Sequence, residues 1–179
     1  ESFSLTRSLI GSDHAPTLIV NFGHQITTAT VVDEGIIRVN HTIDRGSQTL
    51  TSALSAGLNV SKERAEDFKY EVGLSEKIEE QEIVAVLQPL LEILFHEIER
   101  IVMSYNRENE RKIEKVILTG GGAKLKGIVD YAAKIFGIEV SVGNAFQRAI
   151  HPQFMQPVLR DVSPHFSVAV GLALREIAK

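Results

Sequence analysis

The chain has 179 residues, of which 44% are hydrophobic and 23% are charged, a composition typical of globular proteins with a substantial core. The formal net charge of −4, without any lysine- or arginine-rich run, argues against nucleic acid as the main partner. The chain contains no cysteine, which excludes disulfides and thiolate metal sites, and no apolar run approaches the roughly 20 residues of a membrane-spanning helix. These features predict a cytoplasmic protein without direct membrane insertion, and the start at Glu1 predicts a fragment of a longer chain.

Residues 1–15 predict the end of a helix. Apolar residues occur at roughly helical spacing near the start of the chain, namely at Phe3, Leu5, Leu9 and Ile10. The turn-forming sequence Gly11-Ser12-Asp13 follows, and Pro16 precedes the next element. We therefore expect this segment to be the remnant of a helix whose beginning lies outside the chain.

Three antiparallel strands joined by two tight turns are predicted within residues 17–43. Alternation in the third strand predicts one face with Ile37, Val39, His41 and Ile43, and the opposite face with Arg38, Asn40 and Thr42. The first turn contains Gly23, which lets the backbone approach a ligand closely. Successive N–H groups in such a turn can bind an anion, and Thr27 or Thr28 can add a hydroxyl group. This turn is therefore a candidate phosphate clamp.

Two shorter helices are predicted next. Ser47 is expected to be the N-cap of a helix that ends near Leu58. Ser61 is expected to cap a second helix that ends at Gly73. Residues 74–88 are rich in glutamate, which we interpret as a solvated helix face rather than an acidic binding surface.

A long amphipathic helix is predicted from about residue 90 onward. Its apolar residues recur at helical spacing, at Leu90, Leu91, Leu94, Phe95, Ile98, Ile101, Val102 and Tyr105. Pro89 lies either in the first turn of this helix or at a kink in a longer one. An apolar stripe of this kind predicts a contact with the protein core.

The sequence VILTGGGAKL at residues 116–125 is the strongest local signal for ligand binding. A buried strand is predicted to run into three glycines and then into a helix from about Lys124 to Phe136. Such a loop leaves space for a flat or charged ligand, although a plain strand-to-helix turn is compatible with the same pattern. The loop is neither a Walker A motif nor a Rossmann fingerprint, because the lysine and the last glycine that these require are replaced.

The rest of the chain predicts a strand at residues 139–142, a loop that packs down through Phe146, Phe154 and Met155, and a final helix. Ser163 is expected to be the N-cap of that helix, with Pro164 in its first turn. The order of elements predicts an α/β fold with a five-stranded mixed sheet and flanking helices. No histidine spacing indicates a metal site and no catalytic triad or carboxylate pair stands out, so we assign no catalytic residue and no metal ligand.

Four segments together resemble the second half of the actin-like ATPases: residues 21–28, residues 43–54, Ala65-Glu66 with Lys69, and LTGGGAKLKG at residues 118–127. Within that superfamily the chain, including its ending from Phe146 onward, resembles the type IV pilus assembly protein family PilM, to which the cell-division protein FtsA is related. The short helical insert and the ending at the final helix favour PilM over FtsA. The resemblance covers nearly the whole chain and implies an RNase H-like (actin-like ATPase) subdomain. Its implied parts are a core at residues 16–58 and 89–145, a small helical insert at 59–88, and a C-terminal loop and helix at 146–179.

The resemblance also implies where a nucleotide would lie. The second phosphate-binding hairpin of the family would correspond to Asn21, Gly23, His24, Gln25 and Thr27. The adenosine loop would correspond to Gly120, Gly121, Gly122, Ala123 and Lys124, with Leu125 beside the base and Glu66 and Lys69 near the ribose. The implied cofactor is ATP or ADP with magnesium, bound by the full-length protein.

Two departures from the family pattern imply weaker chemistry. Asn21 replaces the aspartate that usually begins the hairpin, so hydrolysis should be weakened more than binding. Only one of the two phosphate hairpins of an actin-like ATPase is found in this sequence. We therefore expect this chain alone to be no enzyme and to bind no nucleotide tightly, and a weak ATPase activity of the full-length protein remains open.

The family resemblance implies a role in pilus assembly, and with it in twitching motility, at the cytoplasmic face of the bacterial inner membrane. The implied partners are the cytoplasmic N-terminal tail of PilN, bound mainly by the first half of the protein, and other platform proteins. Three alternatives stay open: an FtsA-like filament-forming protein, a small-molecule kinase of the same superfamily, and an RNase H-like scaffold without a ligand. A homodimer through the face of the first half is a further expectation.

Overall fold

The computed structural model describes residues 1–11 and 13–177, so the predicted turn at Ser12 and the last two residues of the predicted C-terminal segment lie outside it. The strands are β1 (Thr17–Phe22), β2 (Thr27–Asp33), β3 (Ile36–Ile43), β4 (Lys115–Thr119) and β5 (Glu139–Val142). They form one sheet in the order β3-β2-β1-β4-β5. β1, β2 and β3 are antiparallel, whereas β4 is parallel to both β1 and β5. The predicted five-stranded mixed sheet is confirmed.

Helices cover both faces of this sheet. They are α1 (Ser2–Leu9), α2 (Ser47–Leu58), α3 (Lys62–Glu71), α4 (Gln81–Glu108), α5 (Ile128–Phe136) and α6 (Gln156–Ile177). α1 and α6 pack together on one face, and α2, α4 and α5 lie on the other. Within residues 1–11 and 13–177, no helix combines the length and the apolarity that crossing a membrane requires.

The larger hydrophobic core lies between the sheet and helices α2, α4 and α5. Alternate residues of β1 reach it, and Leu18 is fully buried there. The apolar stripe of α4 predicted from Leu90 onward covers these residues, with Leu91 fully buried, and it extends back to Leu87, which is also fully buried. Because α4 begins at Gln81, Pro89 lies inside a longer helix. An interior proline costs about 3 kcal/mol, which the burial of the two flanking leucines offsets.

A smaller core lies under α1 and α6. Ile19 of β1 and Ile117 of β4 point to this face, where they contact Leu5 and Leu9 of α1. The central strands β1 and β4 are therefore covered on both faces, which accounts for their continuous apolar sequences.

A β-bulge in β3 corrects the predicted faces of that strand. Val31 pairs with Val39, whereas Val32 pairs with Ile37, which leaves Arg38 as an extra residue. Ile37 therefore belongs to the smaller core, and Val39 packs against the larger one. The prediction that both share one face is wrong because alternation along a sequence does not reveal an inserted residue.

Two predicted helix starts are wrong near the glycine turns. Gly46 and not Ser47 is the N-cap of α2, which has no side-chain cap. α5 begins at Ile128 and not at Lys124, because a 3₁₀ turn, Gly121–Lys124, intervenes after β4. The start of α3 is as predicted, since Ser61 accepts a hydrogen bond from the backbone N–H of Arg64.

The start of α6 is also wrong, because this helix begins at Gln156 and contains Ser163 and Pro164. Ser163 is fully buried and connects α6 to the loop after β5. Its hydroxyl accepts the N–H of Ala145 at 2.6 Å and donates to the C=O of Gly143 at 3.0 Å. Ser163, which was predicted to begin the helix, therefore lies inside it and binds the loop through two hydrogen bonds.

The loop after β5 packs down only in part. Phe146 contacts Phe166 of α6, with ring centroids 6.3 Å apart. Phe154 is 81% exposed and Met155 is 38% exposed, so the prediction that these two residues pack onto the protein is wrong. The predicted insert at residues 59–88 contains α3, a 3₁₀ turn (Ile78–Glu80) and the first turns of α4.

Candidate functional site

Two glycine-containing turns lie side by side at one edge of the sheet, where the parallel strands β1 and β4 end. β1 and β4 are parallel neighbours with Asn21 opposite Thr119, so the residues that follow both strands emerge together. A Cβ atom on Gly120 would lie 2.5 Å from the backbone oxygen of Phe22 and 2.7 Å from Oδ1 of Asn21. Gly120 also has a φ of +82°, which favours glycine. Both the contact and the backbone conformation therefore require a glycine at this position.

The following two glycines also lie in close contact. A Cβ atom on Gly122 would overlap the ring of Phe22, and one on Gly121 would lie 3.1 Å from Cε1 of His165. The loop thus runs between the end of β1 and the helix α6. Larger side chains at these positions would displace one of the two neighbours.

Polar contacts from α6 hold the glycine loop in place. The N–H of Gly120 donates to the C=O of Pro164 at 3.0 Å. Thr119 donates its hydroxyl to the same oxygen at 3.2 Å. Lys124 forms an ion pair with Asp161 at 2.9 Å. These contacts hold the glycine loop against α6.

The hairpin turn between β1 and β2 exposes its backbone donors. Gly23 closes the turn by donating its N–H to the C=O of Ile26 at 3.0 Å. Within the described part of the chain, the N–H groups of His24, Gln25 and Ile26 donate to no acceptor, and all three residues are exposed. Successive free N–H groups in an exposed turn are suited to binding an anion such as phosphate.

The N-terminus of α2 supports this hairpin turn. The N–H of Ser47 donates to the C=O of Gly23 at 2.9 Å, and that of Gln48 donates to the C=O of His24 at 2.8 Å. A Cβ atom on Gly46 would overlap the backbone at His24. The hairpin carbonyls replace the side-chain cap of α2, and the positive end of the helix dipole is directed at the turn.

Two of the predicted phosphate residues are held by protein groups. The side-chain amide of Asn21 donates to Oε1 of Glu1 at 2.7 Å. Thr27 is fully buried, and its hydroxyl donates to the C=O of Arg45 at 2.7 Å. The donors of the hairpin turn are therefore backbone groups, and a phosphate contact by these two side chains stays a prediction.

Glu66 and Lys69 form an ion pair that connects α3 to the start of α2. The ammonium of Lys69 donates to Glu66 at 2.9 Å and to the C=O of Ser47 at 3.3 Å, and the residue is only 2% exposed. Burial lowers the pKa of Lys69, although Glu66 opposes this change. Burial raises the pKa of Glu66, but hydrogen bonds from Thr51 and Lys69 outweigh it and leave this pKa below the ordinary value. The pair is therefore ionised, and Lys69 is placed to support α2.

A cavity of about 230 Å³ opens beside the hairpin turn. It is lined by His24 of the turn, by residues at the start of α2 and by Lys62, Glu63 and Glu66 of α3. Of the two residues predicted near a ribose, Glu66 thus borders a cavity and Lys69 is buried. The site residues predicted from the hairpin and from the loop come together at one sheet edge, with Glu66 beside them.

The sequence matches the model of the family described as Type IV pilus assembly protein PilM over residues 4–177. The chain belongs to this family. Among individual relatives of the PilM-family chain, the cell division protein FtsA of Neisseria meningitidis serogroup B is 28% identical over 176 residues, covering 86% of this chain and 41% of that protein.

Solved structures show the same fold. The chain resembles the PilM-PilN type IV pilus biogenesis complex with a TM-score of 0.83 and 23% identity, covering 97% of this chain and 51% of that one. MreB5 of Spiroplasma citri bound to AMPPNP matches with a TM-score of 0.68 and 17% identity, covering 99% and 58%. This PilM-family chain has the predicted actin-like fold and spans about half the length of these structures.

Some neighbours of the site were not identified from the sequence of the PilM-family chain. His165 and Asp161 contact the glycine loop from α6, and Glu1 contacts Asn21, yet these residues are far apart in the chain. The one available signal was the family-like ending from Phe146 onward, which contains the first two. Within residues 1–11 and 13–177, no group of three or more histidine, aspartate or glutamate side chains is placed to hold a metal ion.

Proposed function

We propose that this PilM-family chain forms one wall of an ATP-binding cleft in a cytoplasmic platform protein of type IV pilus assembly. The observation that carries this proposal is the position of the free N–H groups of His24, Gln25 and Ile26 next to the glycine loop at one sheet edge. The hairpin turn offers donors for phosphates, and the glycine loop lies beside it, at the position that the family resemblance assigns to adenosine. The similarity to MreB5, whose structure was solved with AMPPNP, supports an adenine nucleotide as the ligand.

The residues present fit a nucleotide better than a reactive metal centre. The backbone donors of His24 to Ile26 would hold the phosphates, and magnesium bound with the nucleotide would neutralise their charge. Asn21 is a neutral amide, which cannot accept a proton from water, and its side chain donates to Glu1. We therefore propose binding without efficient hydrolysis, with one half of the cleft in this chain.

Nuclear magnetic resonance of the ¹⁵N-labelled chain tests this proposal directly. Titration with Mg·ATP should shift the amide signals of His24, Gln25 and Ile26 and of the glycine loop, without saturation below about 1 mM because only half of the cleft is present. Adenosine without phosphates should shift the loop signals and leave those of the hairpin turn in place. No release of phosphate from ATP is expected.

Two results would contradict the proposal. Micromolar affinity for ATP would show that the chain holds a complete site and not half of one. Amide signals that shift only on a surface away from the two turns would show that the nucleotide binds elsewhere on the chain.

The proposed partner is PilN, which the solved PilM-PilN complex supports. We place its N-terminal tail mainly on the first half of the full-length protein, at the inner face of the bacterial inner membrane. A synthetic PilN tail peptide should bind the full-length protein and leave this chain unbound in biolayer interferometry. Equal affinity for this chain would move the PilN site to the half described here.

An FtsA-like filament-forming protein is the second candidate. It is favoured by the 28% identity to the FtsA of Neisseria meningitidis serogroup B. Electron microscopy of the full-length protein with ATP separates the two candidates, because long protofilaments would favour the filament-forming function.

A further inference from the structure

A large cavity lies away from the glycine turns, along the edge strand β3. It has a volume of about 660 Å³ and separates β3 from the C-terminal half of α4. We call this cavity the β3–α4 groove. Its lining includes Arg38, Val39, His41, Arg100 and Ile101.

The backbone of β3 borders this groove. β3 is the last strand of the sheet, so every second residue turns its N–H and C=O away from β2. Asn40 lines the groove, although its side chain accepts hydrogen bonds from Ser2 and Thr30 on the α1 face. It is therefore the main chain at Asn40 that faces the groove. Unpaired main-chain groups beside a helix are the arrangement in which a peptide adds a strand to a sheet.

The unmatched charge in the groove is positive. Arg38 and Arg100 are exposed and line the groove, and neither has a carboxylate partner in the described part of the chain. Of the two glutamates that line the groove, Glu108 lies 3.7 Å from Arg107, and Glu97 lies 3.8 Å from His41, which is charged only when protonated. The two arginines without a carboxylate partner therefore outnumber the one glutamate without a permanent cation beside it. A ligand that satisfies the two arginines must carry acidic groups.

The floor between these arginines is apolar. Val39 and Ile101 are partly buried against the larger core and line the groove, and the ring of Tyr105 lies beside them. A matching ligand therefore combines acidic and apolar side chains, and its backbone is extended.

We propose that the β3–α4 groove binds an extended acidic segment of a partner protein, which adds to the sheet beside β3. Its main chain pairs with the free edge of the strand, its acidic side chains pair with Arg38 and Arg100, and an apolar side chain rests on Val39 and Ile101. β3 has 8 residues, so a fully paired segment is about 26 Å long. This groove is separate from the proposed nucleotide site at the glycine turns, and its proposed role does not depend on nucleotide binding.

Selection from a display library of random peptides, each roughly ten residues long, tests the proposal on the immobilised chain. We expect enrichment of aspartate and glutamate among apolar residues, and a selected peptide is then synthesised with a fluorescent label. In fluorescence anisotropy, Arg38→Glu and Arg100→Glu should each weaken its binding about tenfold. Arg160→Glu is the matched control, because Arg160 is exposed on α6 outside the groove lining, and the affinity of this variant should stay within about twofold of the wild type. A selection without acidic enrichment, or equal binding by the Arg100→Glu variant, overturns the proposal.

Hydrogen exchange shows whether the peptide adds as a strand. Bound peptide should slow amide exchange in β3 and leave the hairpin turn at His24 unchanged, and thermal melting confirms that each variant is folded. Binding without protection of β3 overturns the strand addition. A second copy of the chain is the rival occupant: if β3 becomes protected as the chain alone is concentrated, and if Arg100→Glu abolishes a dimer in sedimentation velocity, an acidic partner segment is not the natural ligand.

Discussion

The edge at the glycine turns and the β3–α4 groove differ in how their polar groups are satisfied. At the glycine edge, the N–H of Gly120 and the buried ammonium of Lys69 are both bound by protein groups, and the free donors are the backbone N–H groups of His24, Gln25 and Ile26. In the groove, Arg38 and Arg100 have no carboxylate partner within the described residues. The contacts at the glycine edge therefore stabilise the fold, whereas the exposed arginines of the groove contribute little to stability and can bind a partner. Substitutions in the two regions should separate these roles.

Gly120→Ala should have the largest effect. The new Cβ atom would lie 2.5 Å from the oxygen of Phe22 in a backbone conformation with φ of +82°, so we expect a loss of about 3 kcal/mol or more in the free energy of unfolding. Urea denaturation measures this loss. Gly35→Ala is the matched control, because Gly35 has a φ of +74° and no atom within 4 Å of the added Cβ, and it should cost about 1 kcal/mol. If both variants lost the same free energy of unfolding, the close contact at Gly120 would not be the cause of its larger expected effect.

Glu66→Gln should have the next largest effect, because it leaves the buried ammonium of Lys69 without a carboxylate. Since the side chain of Glu66 is 35% exposed, we expect about 2 kcal/mol, less than for a fully buried pair. Because the native pKa of Glu66 lies below its ordinary value of 4.5, this stabilisation is complete above that pH and is lost as the pH falls through the lowered pKa.

Urea denaturation of the wild type and the Glu66→Gln variant between neutral and acidic pH measures this difference. The stability difference should stay constant at neutral pH and shrink in acid. Asp67→Asn on the exposed face of α3 is the control, and it should change stability by less than about 0.5 kcal/mol. A difference that grows in acid would contradict the ionised pair.

Ser163→Ala should cost about 1 to 2 kcal/mol, since it leaves the N–H of Ala145 and the C=O of Gly143 without their hydroxyl partner. The loss should appear in urea denaturation and should be absent for Ser52→Ala, at an exposed position of α2. If Ser163→Ala left the free energy of unfolding unchanged, other contacts would hold α6 over the glycine loop.

Arg100→Ala should have the smallest effect, within about 0.5 kcal/mol, because the side chain has no ion-pair partner in the described residues. Arg111→Ala is the matched control: Arg111 binds Asp33 at 2.7 Å and the C=O of His14 at 2.7 Å, so its loss should cost about 1 to 2 kcal/mol. Denaturation midpoints of the two variants measure the contrast. A strongly destabilised Arg100→Ala variant would contradict the comparison between the two regions.

Local chemistry accounts for the elements that were predicted correctly. The strands around the turn at Asp33, the cap at Ser61 and the apolar stripe of α4 depend on residues close in the chain. The two glycine turns could be assigned to one site only through the family resemblance, since no local pattern relates Gly23 to Gly120. Their adjacency follows from the parallel pairing of β1 with β4.

The sequence by itself determined the element types, the mixed sheet and the family, because periodicity, turn residues and motifs act over a few positions. Only the tertiary structure decided where α2 and α6 begin, since the first N–H groups of α2 are satisfied by the hairpin carbonyls and Ser163 is bound by the loop after β5. The bulge at Arg38 and the groove beside it were likewise decided by packing, because both depend on how β3 meets β2 and α4. All these features depend on hydrogen bonds and packing between segments that are distant in the chain, so no pattern within one segment predicts them.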